Sequence, residues 1–284
     1  MRLLTGDLGV GLLVLARVVA MMQVAPLFSS AAIPGPGRIG LALFIAVIAL
    51  PGVLAGGYPV PASGMQFALL LIGEALVGVL LGFLVFLGFA ALQTAGQFIS
   101  LPVGFGIVEL LDPVTEGRTS LLGGLFHVLA LIAFLSVGGL HRLMLDGVAG
   151  SFHALRAADL VVSFEAGTGV GAGLLLQTVA GSLTRLFGTA MTIALPIFAA
   201  LLLVSLALAM LARVAPHMNL LMLGLPLSLG AGLVILLVAL PLLLSAASGA
   251  LDDAFATLRR VLVGMPEALP AAQSGAPAGT GAVP

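Results

Sequence analysis

The chain has 284 residues, 61% of them hydrophobic and 7% charged, with Lys+Arg 10, Asp+Glu 11 and a net charge of -1. An ordinary soluble domain is about one quarter charged, so too few polar side chains exist here to clothe a water-facing surface, and the chain belongs to the membrane class. The near-neutral charge balance excludes a polyanion-binding footprint, and with it nucleic acid as a partner; the absence of cysteine excludes disulfide frameworks, thiolate metal sites and thiol nucleophiles.

A helix needs about 20 apolar residues to cross the hydrocarbon of a bilayer, and the sequence holds several such runs. The first covers Leu8 to Phe28; Arg17 interrupts it and no small-residue cleavage pattern follows, so the start reads as an uncleaved span rather than a signal peptide. Loop formers at Ser29 to Arg38 lead to a second run, Ile39 to Ala55, and those at Gly56 to Gly64 to a third, Phe67 to Leu92. A polar stretch, Gln93 to Ser120, precedes Leu121 to Val137, and a second polar interval fills Gly138 to Gly169. The block Val170 to Ala212 is too long for one simple span, and Pro196 near its middle predicts a break or kink. The last run is Leu220 to Ala247; beyond Arg260 the composition turns to Pro, Ala, Gly and Ser, so residues 261–284 read as a disordered tail. None of these runs shows the two-residue alternation of barrel strands, so the fold class is all-α. Taken as six spans, the runs place Arg38, Arg118 and Arg213 on one side and Arg2, Arg142, Arg156, Arg259 and Arg260 on the other, which puts both termini in the cytoplasm.

Charges inside apolar runs are the first candidate functional residues. Glu74 in a membrane-type helix costs roughly 2.5 kcal/mol or more on insertion scales, so it must meet a partner, a pore or water. Arg17 and Arg185 cannot readily lose their proton and need a carboxylate or carbonyls within reach. Pairing between helices or subunits is the plainer reading of all three; a functional ionisable site is the sharper one. Gly78 and Gly82 share a helical face, as do Gln93 and Gln97, which suits close helix approach followed by polar cross-links. Gly167 to Gly173 is glycine-rich, but no Lys-Ser/Thr follows and no strand precedes it, so it is not a phosphate loop. The four histidines, His127, His141, His153 and His217, are scattered without metal or nucleophile companions, and no catalytic constellation or cofactor site can be assembled.

The string GEALVGVLLGFLVFLGFAALQTAGQFISLPVGFGIVELLDP, Gly73 to Pro113, resembles the central region of the FliR family: an acidic start, paired glycines, a Gln-x-x-Gly-Gln step, then Gly-Phe and Asp-Pro. FLSVGGLHRLMLDGVAGSFHAL, Phe134 to Leu155, looks like the family's glycine-histidine step and following Ser-Phe. RVAPHMNLLMLGLPLSLGAGL, Arg213 to Leu233, is similar to its Pro-x-x-Asn and Gly-x-Pro pattern, and the early Arg17, Pro26-Leu27-Phe28 and Ile33-Pro34 extend the likeness over about Leu8 to Arg260. Three positions depart: His217 stands where glutamine is usual, Ser228 where lysine is common, and Gly139-Leu140-His141 spaces out an adjacent Gly-His.

The resemblance implies a subunit of a type III protein-export gate that assembles with FliP-like and FliQ-like chains beside an FlhB-like switch protein, in the bacterial inner membrane and flagellar basal body, partly raised to the periplasmic side. It implies passage of unfolded polypeptide through a shared channel, and no enzyme activity. It also implies two parts, a FliP-like 1–188 and a FliQ-like hairpin 189–260, with a plug loop at 97–118. The plug candidates are Phe105, Ile107, Val108, Leu110, Leu111, Asp112 and Pro113, mostly aliphatic where the family is aromatic, with Gly104 and Gly106 for turning. Arg17, Glu74, Gln93, Gln97, Arg185, Arg213 and Asn219 are the candidates for polar contacts between helices or subunits. The motif wording favours the flagellar subunit over its injectisome counterpart. A solute transporter lined by Glu74, Arg185 and the Pro196 break is the competing class, weakened by the lack of an inverted repeat and of paired titratable groups. An intramembrane enzyme lacks its nucleophile, base or metal ligands.

Overall fold

The computed structural model describes residues 7–29, 33–58, 63–106, 120–154, 170–214 and 220–273, and every regular element among them is helical. In chain order these are α1 (Asp7–Val24), α2 (Pro26–Ser29), α3 (Gly35–Ala55), α4 (Gly64–Val103), α5 (Leu121–Ser136), α6 (Gly139–Arg142), a π-helical turn (Leu143–Gly150), α7 (Ser151–Ala154), α8 (Val170–Val214) and α9 (Leu220–Gln273). The chain divides into two compact units, Met1–Phe86 with Gly138–Ser182 and Ala254–Pro284, and Leu87–Val137 with Leu183–Asp253.

Among the described residues four helices are long and apolar enough to cross a membrane: Gly35–Ala55, Gly64–Val103, and the segments Leu176–Val214 and Gly224–Val263 of α8 and α9. Their surroundings differ. The apolar window of α4 is 67% buried, while those of α3, α8 and α9 are 17%, 22% and 17% buried, so α4 is the most enclosed of the four. α3 turns Ala42, Ala46 and Val53 inward and leaves Ile39, Leu43, Phe44, Val47 and Ile48 exposed, a side-chain distribution that suits lipid or another chain and not water.

α4 extends beyond the apolar run that announces it. Gln93 to Ser100 reads as polar, yet Leu92, Ala95, Ile99 and Val103 form a buried stripe at helical spacing that carries the helix on to Val103. α8 runs through Pro196 as one helix, so of the break or kink expected there no break occurs. Ala190, Ile193, Ala194, Ile197 and Leu201 are buried on both sides of the proline, and this packing offsets the single backbone hydrogen bond that proline removes. α9 likewise continues to Gln273, past residue 261, and Phe255, Leu258 and Leu262 keep a buried face as far as the start of that stretch. The other part of the expected tail, 274–284, lies outside the described residues, as does the 215–219 connection between α8 and α9.

Candidate functional site

The first unit is organised by close contact between α1 and α4. A Cβ added at Gly78 would stand 2.3 Å from the Arg17 carbonyl oxygen, and one at Gly82 would stand 2.5 Å from that of Met21. Only glycine allows the two backbones this near. Leu70, Glu74, Gly78 and Gly82 recur every four residues, so Glu74 lies one turn before the contact and on the same face. On α1, Val10, Leu13, Val14, Arg17, Val18 and Met21 are all buried, which sets Arg17 within the apolar stripe rather than beside it.

The two charges meet there. Arg17 is 1% exposed and Glu74 0%, and Arg17 Nε donates to Glu74 Oε2. The other carboxylate oxygen, Oε1, accepts from the Tyr58 hydroxyl. Tyr58, the sole tyrosine of the chain, is delivered by the end of α3, where Gly57 takes φ 67° and its N–H closes onto Leu54 O at 3.1 Å. Arg17 Nη1 donates to Ser151 Oγ at 3.1 Å, and that hydroxyl donates to Val148 O at 2.9 Å. The guanidinium face lies 4.1 Å from the centroid of the Phe152 ring, which adds a cation–π contact between two buried side chains.

Four parts of the chain therefore converge on one buried ion pair: α1, the end of α3, α4 and the start of α7. The π-helical turn before α7 widens the backbone locally, as such turns do at sites with special geometric demands, and brings Ser151 and Phe152 to the network. Nearby, Asp146 on the same turn accepts from Arg259 Nε at 2.9 Å, and Arg142 lies 5.8 Å from the Phe255 ring. The Arg259 side chain is 62% exposed, so this outer pair is a weak surface contact.

The second unit holds the other candidates. A Cβ at Gly96 would lie 2.6 Å from Leu122 O, so α5 starts directly against α4, with Gln93 partly exposed and Gln97 exposed beside that contact. Ser120 caps α5 by accepting from Gly123 N at 2.9 Å. α4 ends at Val103; Gly104 takes φ 106°, a conformation that disfavours any side chain, and Phe105 follows, partly exposed, between it and a buried Gly106. Ile107, Val108, Leu110, Leu111, Asp112, Pro113 and Asn219 lie outside the described residues. Arg185 and Arg213 are on the exposed side of α8. Among the described residues no cluster of three or more His, Cys, Asp or Glu could hold a metal ion.

Sequence reasoning had not singled out Tyr58, Ser151 and Phe152 as partners of the charges. Their signals are present nonetheless: a unique tyrosine beside a helix-ending glycine pair, and a Ser-Phe step after a glycine-rich turn.

Comparison with known proteins places this architecture. The profile of a family described as "Bacterial export proteins, family 1" matches residues 8–254. The flagellar biosynthetic protein FliR of Bacillus subtilis (strain 168) is 32% identical over 251 residues, covering 88% of this chain and 93% of that protein. Its namesake in Escherichia coli (strain K12) is 31% identical over 253 residues, covering 89% and 92%, and that of Aquifex aeolicus (strain VF5) is 31% identical over 242 residues, covering 84% and 88%.

Proposed function

The chain belongs to the bacterial export proteins, family 1, and from that membership we propose that it is a subunit of the flagellar type III protein-export gate, forming part of the channel through which unfolded flagellar proteins leave the cell. The observation that carries this reading is a likeness to flagellar FliR proteins that spans about nine tenths of both partners. The relatives' printed names are flagellar, which favours the flagellum over an injectisome. The embedded acid of the transporter reading, Glu74, is already paired within the chain, which disfavours an open midplane site.

The unpartnered apolar helix faces support co-assembly. Exposed large apolar side chains run along α8 from Leu176 through Leu183, Phe187, Leu195, Leu202 and Met210 to Val214. At a helical rise of 1.5 Å per residue that stripe is roughly 57 Å long, against a hydrocarbon core of about 30 Å. A tilt steep enough to hide all of it exceeds the roughly 40° reached by ordinary spans. Lipid covers part of such a surface, and neighbouring chains cover the rest; FliP-like and FliQ-like subunits and an FlhB-like switch protein are the partners proposed. The setting is the bacterial inner membrane at the flagellar basal body, with part of the chain raised to the periplasmic side. In that assembly 1–188 corresponds to a FliP-like front and 189–260 to a FliQ-like hairpin.

In the proposed mechanism Phe105 with Ile107, Val108, Leu110 and Leu111 forms an apolar constriction, and Asp112-Pro113 sets the chain's exit from it. Bulky apolar side chains close a pore to ions by excluding water while binding no cargo tightly, so an extended polypeptide displaces them without a large energetic trap. The remaining polar candidates, Gln93, Gln97, Arg185, Arg213 and Asn219, face neighbouring subunits. Co-expression with FliP-like and FliQ-like chains in mild detergent, followed by mass measurement, tests the assignment: a stable mixed complex is expected, and a chain that stays monomeric under all such conditions contradicts it.

A further inference from the structure

The last turn of α4 rests on a stripe of α9 to which the proposed function gives no part. Val103 is 0% exposed, and a Cβ added at Gly232 would come 2.6 Å from Val103 Cγ1. At Gly104 an added Cβ would meet Leu225 Cδ1 at 3.2 Å and Ser228 Oγ at 3.3 Å. The Ser228 hydroxyl is tied down, donating to Leu225 O at 3.0 Å. Positions 225, 228 and 232 follow helical spacing, so they form one face of α9, and all of these residues lie in one compact unit. The turn is tight on its other side too, where a Cβ at Gly106 would stand 2.5 Å from Leu101 Cδ2. Val103 is β-branched and has essentially one rotamer available in a helix, so it cannot swing away from added bulk on α9.

We propose that Leu225, Ser228 and Gly232 of α9 are positioning residues for the constriction: by lacking bulk at Gly232 and Ser228 they seat the end of α4 so that the Gly104 turn aims Phe105 at the channel. α9 thereby sets the closed state without itself lining the pore. The inference rests on the constriction reading of Phe105 and adds to it which surface holds that side chain in place.

The test is the resting ion leak of cells carrying the complete gate, measured with the amount of chain assembled in it. Gly232→Ala, whose methyl forces α9 and Val103 apart, is expected to raise the leak several-fold at normal assembly, as Phe105→Ala does. Gly230→Ala, where an added Cβ has nothing within 4 Å, is expected to leave the leak unchanged. Val103→Ala combined with Gly232→Ala is expected to bring the leak back toward wild type. Phe105→Ala with Gly232→Ala is expected to leak no more than Phe105→Ala alone, because the seat acts through that ring. A leaky Phe105→Ala gate beside a tight Gly232→Ala gate overturns the proposal alone, as does a leak that adds in full on top of Phe105→Ala. A tight Phe105→Ala gate overturns the constriction reading and the proposal with it. Where Gly232→Ala fails to assemble, Ser228→Val, which crowds only the Gly104 turn, is read with the same two outcomes.

Discussion

Replacing Glu74 by leucine strips Arg17 of the carboxylate it meets in the buried network while leaving the guanidinium enclosed. Among the described residues the Ser151 hydroxyl at 3.1 Å and the Phe152 ring at 4.1 Å also touch it, and neither carries a compensating charge. Removing one member of a buried ion pair costs about 3–5 kcal/mol. The buried Tyr58 hydroxyl loses its hydrogen bond to Glu74 as well, which adds to that cost without being strictly additive. At roughly 2–4 °C per kcal/mol for a chain of this size class, the midpoint of thermal unfolding falls by about 10 °C. Glu74→Gln keeps the shape and one acceptor, so it is expected to lose less. Replacing both charges, Arg17→Met with Glu74→Leu, removes the desolvation penalty together with the attraction and is expected to regain most of the loss. The assay is loss of helical circular dichroism on heating the purified chain in mild detergent. A Glu74→Leu variant within about 1 kcal/mol of wild type, the range of an exposed pair, refutes the reasoning; so does a double variant as unstable as the single.

Further outcomes follow from the same geometry. Gly78→Ala puts a methyl 2.3 Å from the Arg17 carbonyl oxygen and is expected to destabilise by about 1–3 kcal/mol or more in the same melting assay, whereas Gly40→Ala, with nothing within 4 Å, is expected to be neutral or slightly stabilising. Asp146→Asn removes the partner of the exposed Arg259 and is expected to cost less than about 1 kcal/mol, a difference that moderate salt erases. Replacing Ile107, Val108, Leu110 and Leu111 together by alanine is expected to make the assembled gate leak ions several-fold more than wild type in a membrane-depolarisation assay, with export retained; an unchanged leak removes those residues from the constriction.

Much of the fold was legible because hydropathy and turn formers speak directly about helices: Leu121 to Val137 and the start of α8 at Val170 are read within a residue or two. Hydropathy failed where polar residues sit on the outward side of a helix whose inner side stays apolar. Gln93 and Gln97 disguised the continuation of α4, although Leu92, Ala95, Ile99 and Val103 carry the helical period beneath them. A break at Pro196 was overread for a related reason, since a local rule about one missing hydrogen bond ignores the packing on either side. Arg17 and Glu74 stand out in any sequence reading because charges in such runs are rare. That they meet each other, 57 residues apart, and that Ser151 joins from 134 residues away, is a property of tertiary packing that no local pattern holds.

The most direct measurement of the account is export itself: the amount of filament protein released by cells deleted for this chain and carrying no duplicate of it, with and without the chain restored on a plasmid. Release that stops on deletion and returns on restoration is the predicted result; cells that build filaments and swim normally without the chain contradict it.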